Sequence, residues 1–268
     1  RKKGWELREA AWPFLALPEY APRLRRIFAL VPPPLPYAQA ELQSVADLWT
    51  APADLFYGDE ATLDALAKAL PGAHYAHFAC HGSFDPENPA ASALHLAGGD
   101  RLALRDLNTP RWEEALRGLR LAVLSACQTA IVDFRDLPEE AFGLPAGFLA
   151  AGVLAVVGSL WPVNDRSTAL LMHRLYELHL QGDPEEGIPP LPPRLALREA
   201  QRWLRTVTNR DLKAYLERYR RFKAASAGAN RMSLVLIREE RRRTRRGKPD
   251  ERPYASPYHW AGFVFYGR

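Results

Sequence analysis

Short apolar runs alternate with amphipathic stretches along the 268 residues, a pattern that predicts strands and helices taking turns in an α/β layered domain. Residues 27–31 (IFALV) read as a first strand. From Tyr37 to Trp49 the apolar positions Leu42, Val45, Ala46 and Trp49 fall on one face of a helix, and residues 54–57 (DLFY) form a short strand. Asp59 is placed to cap the next helix, whose Leu63, Leu66, Ala67 and Leu70 make a stripe that Pro71-Gly72 ends.

Residues 74–80 (HYAHFAC), 119–126 (LRLAVLSA) and 153–160 (VLAVVGSL) are apolar runs bounded by turn or helix signals, as expected of strands covered on both faces of a parallel sheet. Residues 260–266 (WAGFVFY) supply a closing strand. Residues 93–104 (ALHLAGGDRLAL) read as a β-hairpin turning at Gly98-Gly99-Asp100. The expected fold is therefore α/β: a three-layer sandwich with a mainly parallel central sheet flanked by helices, plus an inserted β-hairpin.

Composition narrows the class. With 47% hydrophobic residues the chain can bury a proper core, and one main domain is expected. Two cysteines argue against a disulfide framework, and no segment reads as a signal peptide or as an apolar run long enough to cross a membrane. A reducing cytoplasm is the expected setting, and it suits a reactive thiol. Proline, 23 in all, clusters at residues 31–36 (VPPPLP) and 188–193 (IPPLPP), marking loops or element ends. Residues 1–30 are expected to be a linker or the tail of a longer upstream region.

In open parallel sheets ligands collect beyond the carboxyl ends of the strands. Two such ends carry reactive side chains here: one strand runs into His81-Gly82, another into Cys127 within LSACQT. A thiolate is the nucleophile and a neighbouring imidazole takes its proton, while the amides of Gly82 and Cys127 are suited to hold a developing oxyanion. The bland reading is that Cys127 packs as a small core residue. Ser125 and Thr129 flank it, either orienting it or satisfying local backbone groups. His77, Cys80 and His81 also raise a zinc alternative. On a strand, however, His77 and His81 point one way and Cys80 the other, which leaves Cys80 as core packing and His77 as a satisfied, partly buried histidine; neither a metal nor another cofactor is expected.

Residues 77–84 (HFACHGSF), 92–96 (SALHL), 121–129 (LAVLSACQT), 147–152 (GFLAAG), 156–165 (VVGSLWPVND) and 258–267 (YHWAGFVFYG) together resemble the ordered motif series of the CHAT domain. That family is a caspase-like peptidase module related to separase and often joined to tetratricopeptide repeats. The likeness extends upstream to Glu41 and to residues 58–70, so that 31–268 is expected to be the CHAT domain. It implies a caspase-like sheet, a catalytic dyad of His81 and Cys127, an oxyanion hole at Gly82 and Cys127, and cleavage of a protein through an acyl-enzyme. It further implies that Asp165 receives a basic residue just before the cut, with Trp161 as a wall of the same pocket. Asp165 also precedes an amphipathic stretch at residues 167–180 and is suited to an ordinary N-cap; Trp161 is equally suited to simple packing.

Residues 209–253 depart from the family pattern, with Leu212, Tyr215, Leu216, Tyr219 and Phe222 at helical spacing predicting one or two extra helices. Within them the run from Arg238 to Arg246 (REERRRTRR) is either a solvated helix end or loop, or a contact for nucleic acid or an acidic partner. Two function classes follow. One is a cysteine endopeptidase gated by a regulatory protein or tetratricopeptide-repeat partner in a bacterial antiviral defence or signalling system. The other is an inactive caspase-like scaffold for docking proteins.

Overall fold

The computed structural model describes residues 37–49, 53–85, 87–126, 143–225 and 231–268. Its first half carries helices α1 (Ala38–Ala46) and α2 (Leu63–Ala69), strands β1 (Tyr75–Ala79), β2 (His81–Ser83), β3 (Ala93–His95) and β4 (Arg101–Ala103), then α3 (Leu104–Leu107), α4 (Pro110–Leu116) and β5 (Leu121–Ser125). There follow α5 (Leu144–Ala150), β6 (Ala155–Ser159), α6 (Asp165–Leu180), α7 (Pro193–Thr206), α8 (Asn209–Ala225), α9 (Arg231–Arg246), α10 (Pro257–Trp260) and β7 (Phe263–Gly267).

The central sheet has the order β1-β5-β6-β7, with β1, β5 and β6 parallel and β7 antiparallel to β6. Every residue of β1, β5 and β6 is buried, because helices cover both faces; this is why those strands read as continuous apolar runs. Strand alternation divides them between two cores. Tyr75, Ala79, Leu121, Val123, Ala155 and Val157 pack against α1, α6, α7 and α8. Ala76, Phe78, Ala122, Leu124 and Val156 pack against α2, α4 and α5. The layered α/β architecture with a mainly parallel sheet is thus the observed one.

The inserted hairpin is present and larger than expected. β3 and β4 pair antiparallel with Leu94 opposite Leu102, and β2 joins β3 to make a second, three-stranded sheet. Gly98 and Gly99 at its turn have φ of 66° and 84°, a left-handed backbone that glycine adopts without strain.

Three local expectations are corrected. Residues 54–57 belong to no sheet. Asp59 lies in a single 3₁₀ turn, Gly58–Glu60, and α2 is capped instead by Thr62, whose hydroxyl accepts from the Ala65 amide at 3.2 Å; the carboxylate of Asp100 takes the next exposed amide, that of Leu63, at 3.0 Å. Asp165 is the first residue of α6, and Asn164 is the cap, accepting from the Ser167 amide at 3.2 Å. The strand expected at residues 27–31 lies outside the described residues.

Residues 209–253 hold two further helices, α8 and α9. Leu212, Tyr215, Leu216 and Tyr219 are buried in the same core as α6. The basic run is the second half of α9, and part of its charge meets carboxylates of the protein: Arg241 lies 2.7 Å from Glu217, and Arg243 lies 3.0 Å from the fully buried Glu240. No described helix is long and apolar enough to cross a membrane.

Candidate active site

β1 and β5 run side by side and end together, Ala79 opposite Ser125. Beyond Ala79, Cys80 packs into the core on the α2 side, while His77 is wholly buried on the other face of the sheet, more deeply than the sequence suggests. His81 then opens β2 and pairs with His95 across the second sheet. Beyond Ser125, Ala126 is fixed by the buried Ser159 hydroxyl of β6, which donates to its carbonyl. Cys127 and Thr129 lie outside the described residues. By covalent continuity Cys127 is the second residue after β5.

His81 and Gly82 line a cleft of about 670 Å³ whose other walls include Gln39, Tyr57 and the turn at Gly98 to Asp100. His81 is half-buried there. His95 borders the same cleft, its Nε2 2.8 Å from the Ser83 hydroxyl. Burial, and after it the charges of Arg101 and His81, hold the His95 imidazole below its ordinary pKa. The hairpin turn thus forms one bank of the cleft, and the start of β2, just beyond the end of β1, lies across from it.

Asp165, at the start of α6, faces the same strand ends. Burial, followed by the neighbouring carboxylate of Glu41, pushes its pKa above the usual carboxylate range, with His81 and its own backbone amide pulling the other way. Asp165, Glu41, Ser125 and Thr168 line a pocket of about 20 Å³ that also touches Cys80 and Ala126. Asp165 borders a second, wider groove of about 600 Å³ as well, walled by Tyr37, Arg166, Arg243, Tyr254 and His259.

Glu41 anchors this corner. Its Oε1 lies 2.7 Å from His77 Nε2, and His77 Nδ1 lies 3.3 Å from the Tyr176 hydroxyl. Trp161 is half-buried, donates from its indole to the Tyr258 carbonyl at 3.3 Å and packs against Gly262; it is not among the residues lining these three cavities. Sequence reasoning did not mark Thr168 or His95. Thr168 had a usable signal, since residues three apart at a helix start share a face, so a role for Asp165 points to Thr168. Among the described residues no group of three His, Cys, Asp or Glu side chains is arranged to hold a metal ion.

A family model for the CHAT domain matches residues 13–268. The chain belongs to the CHAT domain family. Among solved structures, this CHAT domain is similar to the Arg-specific cysteine proteinase gingipain R, with a TM-score of 0.45 at 12% identity over 62% of this chain and 38% of that one. It is also similar to the complex of Porphyromonas gingivalis RgpB pro- and mature domains, with a TM-score of 0.46 at 12% identity over 68% of this chain and 44% of that one. The CHAT domain therefore spans less than half the length of either. No curated protein sequence matches it.

Proposed function

We propose that this CHAT domain is a cysteine endopeptidase in which His81 is the general base and Cys127 the nucleophile, acting on a polypeptide with a basic residue before the cut. The observation that carries the reading is the common ending of β1 and β5: His81 follows one strand end at the lip of a cleft, and Cys127 follows the other in sequence. His81 takes the thiol proton, and the Cys127 thiolate attacks the scissile carbonyl carbon. The oxyanion so formed is held by the amides of Gly82 and Cys127. His81 then returns the proton to the departing amine as the C–N bond breaks, leaving a thioester that water hydrolyses with His81 again as base. Asp165 supports the basic preference: it is a carboxylate at the same strand ends, bordering the pocket beside Ala126.

The test is cleavage of a mixed peptide library by the purified chain beside His81→Ala and Cys127→Ala. Loss of a general base costs about 10²–10⁴-fold in turnover. His81→Ala is expected to fall in that range and Cys127→Ala to abolish cleavage, both with unchanged melting temperature. Cleavage by Cys127→Ala at the wild-type rate would remove it as nucleophile.

A further inference from the structure

The small pocket under Asp165 holds more than one carboxylate. Ser125 and Thr168 are 7% and 3% exposed, and neither side-chain oxygen has a hydrogen-bond partner among the described residues. Leaving a buried polar group unpaired is costly, so two such hydroxyls lining one cavity mark a place for a polar occupant. Two carboxylates, Glu41 and Asp165, line it with them, and among the described residues no Lys or Arg lines it. Glu41 commits Oε1 to His77, yet a carboxylate keeps acceptor capacity beyond one bond. A cation carried by the occupant would complement both carboxylates and donate to both hydroxyls.

Size decides which cation. A cavity needs about 10–15 Å³ to accept one water-sized group, and this one offers about 20 Å³. An ammonium is a compact charge with three donors that point apart, whereas a guanidinium is a planar fork of three nitrogens that needs a wide slot. Four oxygen-bearing side chains converging on a space for one heavy atom match the ammonium.

We propose that this pocket seats the side chain of a substrate lysine, with Glu41, Ser125 and Thr168 joining Asp165 around its ammonium, and that it takes lysine in preference to arginine. The proposal rests on the peptidase reading only for the direction from which the lysine enters. It makes Glu41 and Thr168 specificity-determining residues.

Binding separates the two ideas. N-acetylated tetrapeptides that differ only in a last residue of lysine, arginine or norleucine are titrated calorimetrically into the full chain carrying Cys127→Ala. Charge-assisted hydrogen bonds contribute about 1.5–3 kcal/mol, so the lysine peptide is expected to bind at least about tenfold more tightly than either other peptide. Thr168→Val keeps the shape of the side chain, and Glu41→Gln keeps a partner for His77; each is expected to lower lysine affinity several-fold while norleucine affinity stays put. Equal binding of lysine and norleucine, tighter binding of arginine, or no binding of any of them overturns the proposal. Lysine preference in this assay with no cleavage by the unmodified chain would sink the peptidase reading and keep the pocket. Cleavage by the unmodified chain after residues other than lysine would sink the pocket and keep the peptidase.

Discussion

Glu41 Oε1 lies 2.7 Å from His77 Nε2, with the two side chains 3% and 0% exposed. The contact joins α1 to the middle of β1, and the other ring nitrogen of His77 extends it 3.3 Å to Tyr176 on α6. Removing His77 leaves the buried Glu41 side chain without this partner, which costs the desolvation penalty of an unsatisfied buried group, about 1–3 kcal/mol and more for a charged one, whereas an ordinary hydrogen bond is worth about 1 kcal/mol. His77→Phe is therefore expected to lower unfolding free energy in denaturant by the larger amount and Tyr176→Phe by the smaller. Equal losses would show that Glu41 finds another partner when His77 is gone.

What the sequence revealed and what it hid divide along sequence distance. The three parallel strands, the positions of His81 and Asp165 near their ends, and the helix carrying Leu212 to Tyr219 all depend on patterns within a dozen residues. The Glu41–His77 pair does not: its members are 36 residues apart in sequence, and neither periodicity nor composition links them. Short-range errors came from competition between neighbours. Asn164 and Asp165 are both good caps, and the chain uses the first. The carboxylate expected at the start of α2 comes from Asp100, across the hairpin, which supplements Thr62. Residues 54–57 have strand-forming side chains but join no sheet.

Arg174 ties α6 to the turn that follows it. Its two terminal nitrogens each lie 2.6 Å from a carboxylate, Nη1 from Glu177 and Nη2 from Asp183, and Tyr215 of α8 donates to the same Glu177 oxygen at 3.0 Å. Burial alone would raise the Asp183 pKa, but the Arg174 hydrogen bond and the charges of Arg174 and Arg218 hold it below the usual carboxylate range. Stability from such a depressed group is present above the unfolded pKa and lost as pH falls through the folded one. Arg174→Met is expected to cost about 3–5 kcal/mol at neutral pH. Adding Asp183→Asn should recover part of that loss, and strict additivity of the two in denaturant unfolding would deny their coupling.

Two buried histidines set the acid limit. Burial lowers both His173 and His179 to a pKa of about 4. His179 has each ring nitrogen engaged, Nδ1 on the Leu191 carbonyl at 2.7 Å and Nε2 near the Tyr75 hydroxyl at 2.9 Å, which fits one neutral tautomer. His173 Nδ1 meets the Tyr215 hydroxyl at 2.6 Å, and among the described residues its Nε2 has no partner to receive an added proton. The unfolded chain binds protons at these positions below about pH 6.5, while the folded chain does not until about 4. Stability therefore falls as pH drops through that window, by on the order of 3 kcal/mol for each histidine. His173→Leu is expected to flatten the pH dependence of denaturant unfolding between these limits by the share of one proton. An unchanged slope would mean that His173 is already protonated in the folded protein.

The turn after α6 allows one glycine effect to be resolved into its parts. Gly182 has φ of 73°, and a Cβ there would lie 2.2 Å from the Ile188 carbonyl oxygen and 2.7 Å from the Pro189 carbonyl carbon. Both are backbone atoms, held by the reciprocal hydrogen bonds between Asp183 and Ile188 at 2.7 and 2.8 Å, so the neighbours have little room to yield. Gly118, between α4 and β5, also has a left-handed backbone, φ 90°, but a Cβ there would meet nothing within 4 Å. Gly118→Ala should therefore pay only the left-handed backbone cost of about 1–2 kcal/mol. Gly182→Ala should pay that and the collision, about 1–3 kcal/mol more. The difference between the two unfolding free energies measures the collision alone; equal values would mean that the 182–188 turn shifts freely to admit a methyl group.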